Sequence, residues 1–226
     1  MLKFILIILD GFGLRDEWEG NAVAQAYTPH LDRMLSECPV SNIETSGQFV
    51  GLPDGIMGNS EVGHMNIGAG RIIKQDLVRI NDAIQSDVLC DNSKLQDTFK
   101  YVKNHTSTLH IIGLVSDGGV HSHLDHFNYI LQTARDANVD KIALHAITDG
   151  RDTFPNSGIN FVKHLESYIQ DDEGFNIATI CGRYYAMDRD SRWERIEKAY
   201  KMLIYGEGEN HPDSISAIQA SYDKEI

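Results

Sequence analysis

The sequence predicts an α/β protein with mostly parallel sheets in a three-layer αβα arrangement. From Leu109 onward, three apolar segments, each followed by a loop and an amphipathic segment, recur at a spacing of about 35 residues, which is the pattern of consecutive parallel βαβ units. Nearer the amino terminus, the continuous apolar run Phe4–Leu9 is typical of a parallel strand that is buried on both faces. The chain has 226 residues, enough for one large domain or two small ones.

The amino-terminal part contains three further local signals. The apolar run ends at Asp10, at the carboxyl end of the predicted strand, where open α/β sheets bind their ligands. The segment 28–38 predicts a helix with Thr28 as its N-cap and Pro29 in its first position. The segment 40–46, "VSNIETS", predicts a second short strand.

In the remainder of the chain, amphipathic periodicity predicts helices over 75–89 and 92–105, the second capped by Asn92 or Ser93. Because crossovers between parallel strands are right-handed, we expect the carboxyl ends of the three following strands to face one edge of the sheet. The final segment, 206–226, has a loop followed by a short helical pattern. The three units consist of strands in 108–119, 141–152 and 175–185, alternating with helices in 123–138, 158–170 and 191–204.

The composition favours a soluble, cytoplasmic protein. The formal net charge is −13, and such an acidic chain is a poor candidate for nucleic-acid binding, which requires a basic surface. Cys38, Cys90 and Cys181 form no CxxC pair, which argues against a disulfide framework and fits a reducing compartment. The first apolar run is too short for a signal peptide, and no run reaches the roughly 18 apolar residues of a membrane span. We therefore expect a protein that binds neither nucleic acid nor a membrane, and for its oligomeric state we expect a monomer.

Three loops that follow the predicted strands are rich in glycine and ionisable residues: "SDGGVHSH", "TDGRDT" and "GRYYAMDRD". Three arginines at one edge of an acidic protein indicate an anion site, because the guanidinium fork matches the oxygens of phosphate and of carboxylate. The alternative is that the arginines are solvated and paired with neighbouring aspartates such as Asp152, Asp188 and Asp190. The candidate residues of this edge are His121, His123, Arg151, Asp152, Arg183 and Arg189.

A glycine-rich segment, "GIMGNSEVGHMNIGAGR" (55–71), surrounds Ser60. A serine becomes nucleophilic when a base or a metal ion removes or stabilises its proton, and neither a Ser-His-Asp order nor a GxSxG elbow is evident. Asp10 is a hard oxygen ligand suited to Mn²⁺, Mg²⁺ or Zn²⁺, although Asp10 and Ser60 alone are too few for a catalytic metal site. Considered locally, Ser60 is better explained as a helix N-cap with Glu61 in the first turn.

The segment "HSHLDH" (121–126) matches the HxHxDH pattern of metallo-β-lactamase-like hydrolases, in which Asp125 would bind a second metal. Two observations weigh against this alternative. That fold is a sandwich with antiparallel hairpins, whereas this chain has consecutive βα units, and no further His and Asp ligands follow at strand ends. For His126 a position on a helix face is favoured, and for His121 and His123 both interpretations stay open.

Five motifs occur in order across essentially the whole chain: "LDGFG", "GNSEVGHMNIGAGR", "SDGGVHSH", "TDGRDT.P" and "GRYYAMDRD.RW". Together they resemble the motifs of the cofactor-independent phosphoglycerate mutases, the 2,3-bisphosphoglycerate-independent type within the alkaline phosphatase superfamily. Members of that family interconvert 2-phosphoglycerate and 3-phosphoglycerate in glycolysis and gluconeogenesis.

The resemblance implies a role for each matched residue. Asp10 and Ser60 would bind one of two Mn²⁺ ions, for which Mg²⁺, Co²⁺ or Zn²⁺ could substitute, and 2,3-bisphosphoglycerate would not be required. Ser60 would be the nucleophile that takes the phosphoryl group and forms a phosphoserine intermediate. The phosphoglycerate would be held by His121, Arg151, Asp152, Arg183 and Arg189.

The resemblance also implies a domain organisation. Residues 1–75 would begin an alkaline-phosphatase-like domain that carries the metal and the nucleophile. Residues 76–226 would form most of an inserted α/β phosphotransferase domain that binds the substrate and is incomplete at its carboxyl-terminal end. Family members are longer than this chain, so we expect the N-terminal part of a mutase, a fragment or a truncated gene product that is inactive alone. A non-catalytic binding protein derived from a mutase by truncation is the alternative.

Overall fold

The computed structural model describes residues 3–224 and divides between Gln75 and Asp76 into two compact units. Among the described residues, no helix has both the length and the apolar character needed to cross a membrane. The first unit folds into helices α1 (Ala22–Gln25), α2 (Pro29–Glu37) and α3 (Ser60–Ala69), with a short 3₁₀ helix (Gly47–Val50) between α2 and α3.

Local capping determines where the helices of the first unit begin. Pro29 opens α2 directly after Thr28, as predicted, although the Thr28 side chain caps no backbone amide. The side chain of Asn59 caps α3 by accepting a hydrogen bond from the Val62 amide at 3.1 Å. Asn59 is therefore the N-cap, and Ser60 is the first helical residue, with its hydroxyl available for another partner.

The two strands predicted in the first unit are not present in the described residues. Phe4–Leu9 forms no strand, and the side chains of Phe4 and Ile5 are 90% and 87% exposed. The segment 40–46 likewise forms no strand. The prediction of a buried strand is wrong for this structure, because an apolar run becomes one only where neighbouring strands satisfy its backbone and cover its side chains. The strands of the described residues pair with one another in the second unit.

The second unit confirms the three predicted strand–helix units and the parallel α/β fold. Its sheet has the order β1-β2-β3, and both neighbouring pairs are parallel. Asn92, one of the two predicted caps, begins helix α5 by accepting hydrogen bonds from two backbone amides. The elements are α4 (Asp76–Gln85), α5 (Ser93–Asn104), β1 (Leu109–Val115), α6 (Leu124–Asp136), β2 (Ile142–Thr148), α7 (Gly158–Ile169), β3 (Phe175–Gly182), α8 (Arg183–Ala186), α9 (Trp193–Tyr205) and α10 (Ser214–Asp223).

The hydrophobic core of the second unit joins the sheet to its helices. Leu144 on the central strand β2 is fully buried, as are Leu131 of α6 and Leu165 of α7, and all three belong to one cluster. Burial of a leucine side chain contributes on the order of 2 kcal/mol relative to its exposure. This core holds the three strands in register and so determines where their carboxyl ends lie.

Three polar side chains form a hydrogen-bonded row across the sheet. His110 Nδ1 on β1 lies 2.8 Å from His145 Nε2 on β2, and His145 Nδ1 lies 2.8 Å from the Thr179 hydroxyl on β3. Burial of the imidazole and the proximity of His110 lower the pKa of His145 below its ordinary value of 6.5. The folded protein therefore favours the neutral form of His145.

We expect the free energy of unfolding to fall as the pH drops below about 6.5. A histidine with a lowered pKa in the folded state binds a proton more readily in the unfolded chain, so its stabilisation is complete above 6.5 and is lost at lower pH. The slope is at most about 1.4 kcal/mol per pH unit for each such histidine. His126 also contributes to this slope, because burial lowers the pKa of its imidazole as well.

Urea unfolding between about pH 7.5 and 5.5 tests this prediction, since that interval spans the ordinary titration of histidine. His145→Gln should reduce the slope of the unfolding free energy against pH. Equal slopes in the wild-type chain and the His145→Gln variant would contradict the assignment.

Candidate functional site

The three strands of the second unit end in register at one edge of the sheet. The last residue of β2 pairs with the last residue of β1 and with the last residue of β3. The residues that follow the strands are therefore neighbours: Ser116 and Asp149 begin loops, and Arg183 begins the short helix α8. A cavity of about 1000 Å³, which we call the strand-end cavity, lies at this edge. Four of the predicted substrate-binding residues line it: His121, Arg151, Arg183 and Arg189.

Arg183 is the most firmly held of these residues. Its Nη1 atom donates to Asp149 Oδ1 at 2.9 Å and to Asp152 Oδ2 at 2.6 Å, and its side chain is only 13% exposed. Arg183 is thus paired with Asp152, as the alternative interpretation expected, but it is a largely buried residue and not a solvated one. A guanidinium has five N–H donors, so the two aspartates leave donors available for a ligand.

Asp149 connects the ends of the three strands and was not among the residues predicted from the sequence. Its side chain is fully buried. Burial alone raises the pKa of Asp149, but hydrogen bonds from the Ser116 hydroxyl, the backbone amides of Arg151 and Asp152, and the Arg183 guanidinium outweigh burial and hold the pKa well below its ordinary value. Asp149 is therefore ionised at neutral pH. Its position directly after a strand, in an Asp-Gly turn, is the sequence signal that could have identified it.

Arg151 and Arg189 differ from Arg183 in being exposed. Their side chains supply positive charge to the strand-end cavity. His121 Nε2 lies 3.9 Å from Asp152 Oδ2, close enough for an ion pair when the imidazole is protonated. The structure thus brings together all five residues to which the resemblance assigns the substrate, with Asp152 in contact with Arg183 and near His121.

A fourth arginine at the strand-end cavity, Arg195 of α9, was also missed by the sequence analysis. Its guanidinium carbon lies 3.8 Å from the centre of the Tyr184 ring, and its Nη1 atom donates to Asp188 Oδ1 at 3.3 Å. Asp188 also accepts hydrogen bonds from the backbone amides of Asp190 and Arg192 at 3.2 and 2.8 Å. Asp188 therefore pairs with Arg195 and shapes the loop that carries Arg189.

The histidines of "HSHLDH" serve separate roles in the second unit. His123 is the N-cap of α6, where its Nδ1 accepts a hydrogen bond from the Asp125 amide at 3.2 Å. His126 lies within α6, as predicted, and its Nε2 is 2.7 Å from Asn81 Oδ1. Residues 3–224 contain no cluster of three or more His, Cys, Asp or Glu side chains arranged to hold a metal ion. The motif thus does not form the ligand set that the metallo-β-lactamase-like alternative requires.

In the first unit, Ser60 and Asp10 are in direct contact. The Ser60 hydroxyl donates to Asp10 Oδ2 at 2.7 Å, and both residues are exposed. His64, one turn along α3, has its Nδ1 atom 2.8 Å from the Ser60 carbonyl oxygen and 3.2 Å from Ser60 Oγ. Because a carbonyl oxygen can only accept, Nδ1 carries the proton in this arrangement. His64 therefore does not act as a base towards Ser60 here.

The contact between Ser60 and Asp10 fits part of a divalent metal site. A carboxylate and a hydroxyl oxygen separated by 2.7 Å are hard ligands of the kind that Mn²⁺ and Mg²⁺ prefer. The free amides at the start of α3 would also favour an anion close to Ser60. Two protein ligands are fewer than a catalytic metal site requires, so these residues fit as members of a larger ligand set.

The fold and the site define an α/β protein with a parallel sheet and an arginine-lined cavity at its strand ends, the place where open sheets of this kind bind ligands. A family model matches residues 80–226, and its description is "BPG-independent PGAM N-terminus". The chain belongs to this family.

Two similar proteins and one similar crystal structure agree with the family match. The 2,3-bisphosphoglycerate-independent phosphoglycerate mutase of Myxococcus xanthus is 50% identical over 224 residues, covering 99% of this chain and 44% of the relative. The protein of the same name from Clostridium tetani is 47% identical over 218 residues, covering 96% and 42%. A crystal structure of Leishmania mexicana phosphoglycerate mutase at low cobalt concentration matches with a TM-score of 0.76 and 33% identity, covering 95% of this chain and 41% of that chain. The chain thus spans less than half the length of these relatives.

Proposed function

We propose that the chain is the N-terminal part of a 2,3-bisphosphoglycerate-independent phosphoglycerate mutase. This isomerase interconverts 2-phosphoglycerate and 3-phosphoglycerate through a phosphoserine intermediate, in the cytoplasmic reactions of glycolysis and gluconeogenesis. The observation that carries the proposal is the strand-end cavity, where Arg151, Arg183 and Arg189 converge on an otherwise acidic chain. The names of the relatives support the same assignment.

In this proposal the second unit binds the phosphoglycerate. Arg183, oriented by its two aspartates, presents its remaining donors to phosphate or carboxylate oxygens in a fixed direction. Arg151 and Arg189 add exposed positive charge that attracts the anion. Asp152 and His121 are polar partners for the hydroxyl groups of the glycerate. The arginines hold the substrate in one orientation, which is their contribution to the rate of transfer.

Ser60 is the proposed nucleophile in the first unit. Asp10 accepts the hydrogen bond of the Ser60 hydroxyl and so orients its oxygen atom. Mn²⁺ is the proposed metal, with Mg²⁺, Co²⁺ or Zn²⁺ as substitutes, and when bound it lowers the pKa of the serine hydroxyl and neutralises phosphoryl oxygens. Since Asp10 and Ser60 provide only two ligands, we assign substrate binding to this chain and do not assign turnover to it.

Calorimetric titration of the chain with 3-phosphoglycerate tests the proposal. We expect a saturable binding heat for the wild-type chain and at least about a tenfold weaker affinity for an Arg151→Ala, Arg189→Ala double variant, because charge-assisted hydrogen bonds contribute about 1.5–3 kcal/mol each. Both side chains are exposed, so their removal should leave the fold intact.

Arg79→Ala is the matched control for this titration. Arg79 is an exposed arginine of α4 that pairs with Asp76 at 2.7 Å and does not line the strand-end cavity. Its removal changes the net charge without changing the proposed site, so the affinity should stay within about twofold of the wild-type value, apart from weak long-range effects. Equal affinities for the double variant and the wild-type chain would refute the proposed site.

A further inference from the structure

Asp149 has an unusual position among the residues of the strand-end cavity, because a single side chain contacts the segments that follow all three strands. Its Oδ2 atom accepts a hydrogen bond from the Ser116 hydroxyl after β1 at 2.7 Å. Its Oδ1 atom accepts from the amides of Arg151 and Asp152, at 3.0 and 3.1 Å, in its own loop. The same oxygen accepts from Arg183 Nη1, after β3, at 2.9 Å.

These contacts satisfy the carboxylate completely and leave it no contact with solvent. The side chain of Asp149 is 0% exposed, so the group does not meet a ligand in the cavity directly. Ser116, which is also buried, is itself fixed, because its Oγ atom accepts a hydrogen bond from the Gly118 amide at 3.0 Å. A buried carboxylate held by four donors has one orientation, and it imposes that orientation on the groups that donate to it.

The donors that Asp149 holds are parts of the proposed substrate site. The turn from Gly150 to Asp152 carries the exposed Arg151 side chain, and the two amides held by Asp149 Oδ1 fix the backbone of that turn. Arg183 is fixed through one nitrogen only, on the side facing Asp149 and Asp152, so its other donors keep a defined direction. One buried atom thus holds the Arg183 side chain and the backbone of the turn that carries Arg151.

We propose that Asp149 is the positioning residue of the anion site: it fixes Arg183 and the turn 150–152 in the arrangement that receives the ligand. The nature of that ligand rests on the proposed function, whereas the positioning itself does not. The positioning depends on where the acceptor oxygen Oδ1 lies and not on the negative charge of the carboxylate. An amide oxygen at the site of Oδ1 would accept the same three hydrogen bonds.

Two substitutions separate position from charge. Asp149→Asn keeps an acceptor at Oδ1 and turns its NH₂ group towards the Ser116 oxygen, while Asp149→Ala removes the acceptor. We expect the affinity for 3-phosphoglycerate to stay within about threefold of wild type in the asparagine variant and to fall by about tenfold or more in the alanine variant, since misplacing binding groups by a fraction of their contact distance is sufficient for such a loss. A tenfold loss in the asparagine variant would overturn the proposal, because charge alone would then explain the effect.

Asp172→Ala is the control for a loss of stability without a loss of positioning. Asp172 holds Arg135 in a partly buried ion pair elsewhere in the second unit, and neither residue lines the strand-end cavity. This variant should be less stable than wild type but bind 3-phosphoglycerate with unchanged affinity. A comparable loss of affinity in the Asp172→Ala variant would mean that any weakened ion pair has the same effect.

The amide signals of Arg151 and Asp152 give a readout that does not depend on the ligand. In two-dimensional NMR spectra, Asp149→Ala should move both amide proton signals upfield and speed their exchange with solvent, whereas Asp172→Ala should change neither. Unchanged amides in a folded Asp149→Ala variant would overturn the positioning role. If the alanine variant does not fold, the affinity of the asparagine variant decides. If the wild-type chain does not bind 3-phosphoglycerate, the proposed function fails, and the amide comparison still tests Asp149.

Discussion

Arg183→Ala is expected to lower the free energy of unfolding by about 3–5 kcal/mol, because it leaves an uncompensated charge in the protein interior. Arg183 is the basic partner of two carboxylates: Asp149, with a side chain that is 0% exposed, and Asp152, at 19%. Replacement of arginine by alanine also removes a positioned donor group from the strand-end cavity. We therefore expect 3-phosphoglycerate binding to be lost together with much of the stability. Urea unfolding at neutral pH and calorimetric titration measure the two effects.

Arg189→Ala separates these two effects. Arg189 lines the same cavity, but its side chain is exposed, and surface substitutions of this kind change stability by about 0.5 kcal/mol or less. It should weaken the binding of 3-phosphoglycerate while leaving the unfolding curve nearly unchanged. If Arg183→Ala were no more destabilising than Arg189→Ala, the buried pairing with Asp149 and Asp152 would not hold the loops together as described.

The repeated units of the second half were predictable because each rests on local chemistry. Apolar strands and amphipathic helices have different periods, and caps such as Asn92 fix where a helix begins. The handedness of parallel crossovers then brings the strand ends to one edge without any knowledge of long-range contacts. For that reason the sequence sufficed to gather His121, Arg151, Arg183 and Arg189 around one site.

The amino-terminal apolar run was not predictable in the same way. Its composition indicates that Phe4–Leu9 is suited to burial, but it contains no information about what covers it. A strand requires a partner for each backbone group, and in residues 3–75 no partner strand is formed. The apolar composition of a segment therefore predicts its tendency to form a strand. Whether the strand forms depends on partner segments elsewhere in the chain.

Asp149 was missed for a related reason. In the sequence it is the first residue of an Asp-Gly turn, a role that accounts for it without any function. Its importance comes from the register of the sheet, which puts Asp149 beside Ser116, 33 residues earlier, and Arg183, 34 residues later. Only the alignment of the three strand ends reveals that one buried carboxylate accepts hydrogen bonds from the segments that follow all three strands.

Gly174→Ala is the second substitution with a large expected effect, and it acts through the start of the sheet. A Cβ atom at Gly174 would lie 1.8 Å from the carbonyl oxygen of Asp140 and 3.0 Å from its carbonyl carbon. Both are backbone atoms, so the clash cannot be relieved by a change of side-chain rotamer. The Gly174 carbonyl also accepts a hydrogen bond from the Ile142 amide at 3.0 Å, where β2 begins. Moving these segments apart should lower the free energy of unfolding by about 3 kcal/mol or more, because overpacking against rigid backbone lies at the upper end of the usual cost of overpacking.

Gly208→Ala is the matched control, because a Cβ atom there meets nothing within 4 Å and the residue does not have a positive φ. Its only expected effect is on the unfolded chain, whose conformational freedom it reduces, so stability should be unchanged or higher by up to about 1 kcal/mol. Urea unfolding followed by circular dichroism compares the two variants. A Gly174→Ala chain as stable as the Gly208→Ala chain would mean that β2 and β3 can separate at their amino-terminal ends without loss of the core. The strand register that aligns Ser116, Asp149 and Arg183 would then need another source of rigidity.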